Sequence, residues 1–129
     1  MHLESYFAEL QRKYPDVHMR LVDHAELPFS EQVRLSHETD ILVGVHGAGL
    51  THGMFLPHRS TVVEIQPPEL QHKGFRLMAE SLGHDYLVCH GQNVSGSTGD
   101  WQHDDVYMPK DEFMGLVEEA IASARKFRL

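Results

Sequence analysis

The stretch Ile41-Leu42-Val43-Gly44-Val45-His46-Gly47-Ala48-Gly49-Leu50-Thr51-His52 joins a short apolar run of strand type directly to closely spaced glycines that can open a helix. Glycine lets the main chain turn sharply and approach a ligand with no Cβ in the way. The N–H groups of a first helical turn have no partner within the helix and carry partial positive charge, so they serve as donors to an anion. A strand that delivers such a turn to the carboxyl edge of a sheet forms a cradle suited to a pyrophosphate.

Working outward from this block, the apolar spacing predicts an opening helix from Leu3 to Tyr14, stopped by Pro15, and a strand from Val17 to Val22. Ser30 is placed to cap a helix running to about Glu38, and Ile41–Val45 follows as a strand covered on both faces. A short helix carrying Leu50, Phe55 and Leu56 ends at Pro57, and Thr61–Ile65 is a β-branched strand broken by Pro67-Pro68. A helix from about Leu70 to Leu82, a strand Asp85–Cys89 and a C-terminal helix from about Lys110 to Phe127, with Phe113, Leu116, Val117 and Ile121 on one face, complete the series. The expected class is α/β, a parallel Rossmann-like sheet of about four strands with flanking helices, with residues 1–129 as one domain. Its ligand-facing loops gather at the carboxyl ends of the strands.

Composition narrows the function. With 11 Lys and Arg against 19 Asp and Glu, the formal charge of −8 opposes nucleic acid and anionic membrane surfaces, so neither is an expected partner. No apolar run reaches the length of a membrane span, and Met1-His2-Leu3-Glu4-Ser5 has neither the basic region nor the apolar core of a signal peptide. The single Cys89 rules out an internal disulfide and, at a strand end, reads as a buried inert thiol. Asn93-Val94-Ser95 fits the N-glycosylation pattern, and Gly91 to Gly99 has the composition of a surface loop or a flap.

The glycine spacing Gly44-x-x-Gly47-x-Gly49 is neither the dinucleotide G-x-G-x-x-G nor a P-loop, and by itself it fits a bare strand-to-helix turn as well as a phosphate site. His46 precedes a positive helix end that disfavours an imidazolium, so it is expected to be neutral and to donate one hydrogen bond, to a phosphate oxygen if one is held there. Thr51 lies in the first turn, where its hydroxyl reaches either a phosphate or a backbone carbonyl. Glu64, an acid inside the apolar strand near its carboxyl end, either accepts the hydroxyls of a ribose or pairs with a neighbouring base. Gln32, early in its helix, could read a base edge or simply face solvent. His103-Asp104-Asp105 with His90 nearby reads as a solvated turn, since the spacing matches no strong zinc pattern; no metal is expected. No Ser, Cys or Thr has a base implied by local sequence, which leaves covalent catalysis unsupported.

Taken together, Phe29-Ser30-Glu31-Gln32-Val33, the block from Asp40 to His52, Phe55-Leu56-Pro57 and Val63-Glu64 resemble glycosyltransferase family 61, and its C-terminal part in particular. Gly83 to Tyr86 and Asp111-Glu112-Phe113 with Leu116-Val117 extend the likeness over nearly everything after Phe29, and the His-Gly-Ala-Gly-Leu-Thr block is its most specific piece. Within the family the chain resembles the transferases that place O-linked N-acetylglucosamine on EGF domains. The resemblance implies a GT-B enzyme of two Rossmann-like halves, inverting and metal-independent, with the nucleotide sugar held mainly by the C-terminal half. On it His46, Gly47, Ala48, Gly49, Leu50 and Thr51 hold the UDP pyrophosphate, Glu64 is a candidate for the ribose and Gln32 lies near the nucleotide.

The resemblance further implies a UDP-sugar as donor substrate with no other cofactor. It also implies a Ser or Thr of an EGF-like repeat as acceptor, in the lumen of the endoplasmic reticulum or Golgi. This sequence starts downstream of an arginine-bearing strand and loop of the family, and the C-terminal Lys126-Phe127-Arg128-Leu129 is not a retention signal of the KDEL kind. A helix end supplies only about half a positive charge, so donor binding by these residues alone is expected to be weak. The chain is expected to be inactive without an N-terminal half or partner chain, which is where the general base would lie. The alternatives are a nucleotide-sugar-binding module that works only with a separate chain, and a xylosyl or arabinosyl transferase of the same family.

Overall fold

The computed structural model describes residues 3–68, 70–93 and 106–128. Its centre is an open parallel sheet of three strands, β1 (Ile41–Val45), β2 (Thr61–Gln66) and β3 (Asp85–His90), in the spatial order β1-β2-β3. β2 is buried along its whole length, as its run Thr-Val-Val-Glu-Ile-Gln between two neighbours and two covering layers requires.

Side chains alternate across the sheet with period 2 and build two cores. On one face Ile41, Val43, Ile65 and Cys89 pack with Phe113, Val117 and Ile121 of the C-terminal helix α4 (Lys110–Arg128) and with Leu10 of the opening helix α1 (Leu3–Lys13). On the other, Leu42, Val62 and Tyr86 pack with Leu50 and Leu56 around a 3-10 helix, Ala48–Phe55, and with Phe75 and Ala79 of α3 (Gly74–Ser81). Helix α2 (Phe29–His37) leans on the 3-10 helix, and a short antiparallel pair, β4 (Gln92–Asn93) with β5 (Val106–Tyr107), lies beyond β3. Numbering helices α1 to α4 in chain order, the class is α/β with flanking helices, as expected.

The predicted strand Val17–Val22 does not form, so the sheet has three strands rather than about four. The Gln11 amide donates to the carbonyls of Tyr14 and Val17 (3.2 and 2.7 Å), so a side chain takes an acceptor that a ladder would have used. Val17 and Met19 still pack against the core, while Leu21 and Val22 are exposed. Helix α2 starts one residue before the expected cap, with Pro28 at the N-cap position and Ser30 already inside the first turn. Helix α3 starts at Gly74 rather than near Leu70, because side chains at the sheet's end hold residues 70–73 open: the Gln66 amide donates to the His72 carbonyl (2.8 Å) and His90 Nε2 to that of Leu70 (3.2 Å).

Phe113 anchors the first core. It is fully buried, edge-on to Phe7 (ring centroids 5.7 Å apart) and tilted against Tyr6 (5.6 Å), whose hydroxyl donates to the Met108 carbonyl. The exposed ion pairs Lys13–Glu118 and Arg125–Asp16 tie the same layers together but add little energy in water. Phe113→Ala is therefore expected to cost about 3–5 kcal/mol, read as a lower urea midpoint with an unchanged slope.

Candidate functional site

The carboxyl ends of β1 and β2 meet where Gly44, Glu64 and Val88 form one row across the sheet, with Glu64 in the middle and 0% exposed. A carboxylate wholly removed from water needs donors on both oxygens. It has them: His46 Nδ1–H donates to Oε2 at 2.5 Å, and the Tyr86 hydroxyl donates to Oε1. Burial, and then the bond to Glu64, push the Tyr86 phenol well above its usual range and keep its proton in place. The ring of His46 is further fixed edge-on by Phe75 (5.2 Å) and His72 (4.8 Å), and its own amide donates to the Ile65 carbonyl.

In this arrangement Glu64 presents no exposed oxygen to a ribose; of the two roles set out from sequence, the contacts are those of pairing with a neighbouring base. The expectation of a neutral His46 rested on the helix end alone, and the fold adds a buried anion against Nδ1 that local sequence did not reveal.

The turn that follows β1 depends on two glycines. A Cβ at Gly44 would stand 3.0 Å from Leu50 Cδ2, so the bare backbone lets Leu50 settle over the sheet. Gly47 has φ 157° and ψ −176°, a conformation in effect reserved to glycine. Gly49 is different: it is exposed, and a Cβ there would meet nothing within 4 Å. The first bonded amide of the turn is that of Leu50, to the Gly47 carbonyl, and the amides of Gly47 and Gly49 donate to no other backbone group among the described residues. Ala48 opens the 3-10 helix, Leu50 is buried beneath it and Thr51 is exposed on its first turn. The cradle residues His46 to Thr51 are thus brought to one edge.

Gln32 is committed elsewhere. Its Nε2 donates to the carbonyls of His24 (2.6 Å) and Leu27 (2.9 Å), and its Oε1 faces His52 Nε2 (2.9 Å), which leaves little of the amide for a base edge. His52, whose Nδ1 faces the Gly49 carbonyl at 2.8 Å, ties Gln32 to the turn and stacks on His24 at 3.9 Å. Sequence reading passed over His52 and Tyr86. His52 stands three residues after Gly49, one 3-10 turn along, and Tyr86 stands on the strand position paired with Val62, on the face that Glu64 shares.

Among the described residues no group of three or more His, Cys, Asp or Glu is arranged to hold a metal ion. His103-Asp104-Asp105, the segment Val94 to Gly99 and Ser95 lie outside the described residues. No helix among the described residues is long and apolar enough to cross a membrane. Two cavities, of about 370 and 270 Å³, sit away from the turn, one against α1 at Gln11 and Pro15 and one at the amino ends of β2 and β3 beside Glu119 and Ser123.

The chain is an α/β protein whose open parallel sheet ends, at the carboxyl edge of β1, in a glycine-opened turn. Sequence comparison is more specific: residues 2–63 match the Glycosyltransferase 61 family, and the chain is a relative of that family. It is 51% identical over 49 residues to an EGF domain-specific O-linked N-acetylglucosamine transferase of Gallus gallus, covering 36% of this chain and 9% of that one. To the proteins of the same description from Pan troglodytes and Drosophila melanogaster it is 39% identical over 77 residues and 33% over 91, or 58% and 70% of this chain. The chain therefore spans about a seventh or less of the length of these relatives, 9 to 15%. The family match reaches back through α1, further than the resemblance read from Phe29 onward, and stops one residue before Glu64.

Two outcomes follow. Gly47→Ala is expected to destabilise the chain by about 1–3 kcal/mol in urea unfolding while Gly49→Ala changes stability little, because only the first must adopt a glycine-only conformation. Burial pushes the Cys89 thiol up to about 11, so at pH 8 about a thousandth of it is thiolate. Ellman's reagent is expected to label Cys89 only after denaturant is added.

Proposed function

We propose that this chain carries the donor-holding turn of a glycosyltransferase that moves a sugar from a UDP-sugar to a protein hydroxyl. The observation that carries the reading is the glycine-shaped turn His46–Thr51 at the carboxyl edge of β1, with the amides of Gly47 and Gly49 donating to no other backbone group among the described residues. On this reading those amides and the start of the 3-10 helix meet the diphosphate, and the His46 ring, fixed by Glu64, which Tyr86 holds in turn, stands beside it.

The functions of the residues then divide. His46, Gly47, Ala48, Gly49, Leu50 and Thr51 form the diphosphate turn. Glu64 acts through His46 as a positioning residue, and Gln32 holds the turn from behind through His52. The proposed sugar is N-acetylglucosamine and the proposed acceptor a Ser or Thr of an EGF-like domain, because the matched relatives are described by that sugar and that domain. Such an acceptor places the whole protein's work in the secretory pathway, with inverting transfer in a GT-B frame and no metal in the step. The acceptor site and the base that takes the hydroxyl's proton belong on this reading to a separate half of the enzyme, so the isolated chain binds donor without turning it over.

Titration calorimetry with UDP tests the reading. Binding is expected for the wild-type chain and its loss for Gly49→Glu, which sets a carboxylate at an open position of the turn and repels the diphosphate. His46→Ala is expected to weaken binding by about 1–2 kcal/mol, the scale of a lost hydrogen bond to a charged group, in protein whose circular dichroism is unchanged. Equal heats from wild type and Gly49→Glu would remove the diphosphate from this turn.

A further inference from the structure

His52 lies between two groups that can only accept. The Gly49 carbonyl is 2.8 Å from Nδ1, and the oxygen of the Gln32 amide is 2.9 Å from Nε2. A backbone carbonyl has no proton to give. The orientation of the Gln32 amide is settled by its other contacts, since turning it over would set its oxygen against the carbonyl oxygens of His24 and Leu27, now 2.6 and 2.9 Å from its nitrogen. A neutral imidazole carries one N–H and would leave its second nitrogen lone pair against an oxygen lone pair. Only an imidazolium satisfies both partners.

We infer that His52 is doubly protonated in the folded chain and that this cation, lodged directly behind Gly49, forms part of the anion site at the His46–Thr51 turn. The anion half of the inference rests on the donor-site reading above; the protonation half does not. It addresses a deficit evident in the composition: a chain of charge −8, with about half a charge from a helix end, holds a diphosphate poorly unless a further positive group stands nearby. His52 supplies a whole charge from a residue 9% exposed; burial costs that charge its hydration, the two acceptors at its nitrogens offset the cost, and water screens it less than it would an exposed lysine.

The surroundings of His52 fit. From the 3-10 turn His24–Glu26, His24 stacks on its ring, with Asp23 capping that turn; from α2 comes the neutral Gln32; from its own helix comes Phe55 at 6.4 Å. Burial first, and then the charge of His52, hold His24 below the ordinary histidine range, so the stacked partner is the neutral member of the pair. No acidic side chain forms an ion pair with His52 among the described residues, so its charge is left for an incoming anion. The other ionisable pair at the edge, His46 with Glu64, carries its own anion.

The sign is fixed by linkage: an anion that binds the protonated form better retains the proton, so affinity is highest while His52 carries both protons and falls when rising pH removes one. Nitrogen-15 NMR of the histidine side chains in the ligand-free chain, with His52→Gln used for assignment, is the first measurement. Protonated shifts at both His52 nitrogens at pH 7 are expected, and a neutral tautomer there overturns the inference whatever UDP does.

UDP titrations between pH 6 and 8.5 are the second, with about a tenfold gain on the acid side in wild type. That gain is expected to disappear in Gln32→Leu, which removes one acceptor and lets His52 turn neutral while His46 and Glu64 stay as they are. A gain of equal size in Gln32→Leu assigns it to His46 and overturns the anion half. UDP that fails to bind at any pH while His52 stays doubly protonated overturns the anion half and the donor-site reading together, and leaves the protonation established.

Discussion

A carboxylate at the centre of a fully buried strand constrains everything at the carboxyl edge of this sheet. Glu64 has no water to turn to, so the fold must bring it a donor from each neighbouring strand, Tyr86 from β3 and His46 from just past the end of β1. The cost of leaving either oxygen unpaired in such a place is several kcal/mol, more than any surface ion pair of this chain returns. Register, the exit angle of β1 and the attitude of the His46 ring are therefore one problem with one solution. The glycines on either side, Gly44 under Leu50 and Gly47 in a conformation closed to other residues, let the backbone take the path that solution demands.

Much of this was legible because the signals were local. The run Ile41–Val45, the β-branched Thr61–Ile65 and the apolar stripe Phe113, Leu116, Val117 and Ile121 each announce their element from spacing alone, and the structure has them where spacing put them. The turn at Gly47 was readable for the same reason. What failed was decided by contacts across sequence. Val17 to Val22 alternates as a strand does, yet its first carbonyl goes to a glutamine on α1, and residues 70–73 are held open by Gln66 and His90 from strand ends that a one-dimensional pattern does not bring near.

The site divides along the same line. That His46 and Thr51 flank a glycine turn is a property of twelve consecutive residues or fewer, whereas the partnership of His46 with Glu64 spans 18 positions and that of His52 with Gln32 spans 20. Histidine is the difficult case: with 11 in the chain, identity alone distinguishes none of them, and only hydrogen-bond partners reveal that His46 leans on an anion while His52 is enclosed by acceptors. The match to glycosyltransferase family 61 rests on the readable part, the block from α1 to the middle of β2, and the chemistry that orients it lies just beyond.

Because the ring of His46 is anchored on β2 and its amide on the Ile65 carbonyl, the turn inherits its shape from a strand made later in the chain. A peptide ending at residue 63 would carry every letter of the glycine block and nothing to mould it. On the ribosome the loop must wait, unformed, until the second strand emerges and docks; recognition here is an outcome of tertiary assembly, and a transplant of the motif alone into another scaffold would carry the spelling without the form.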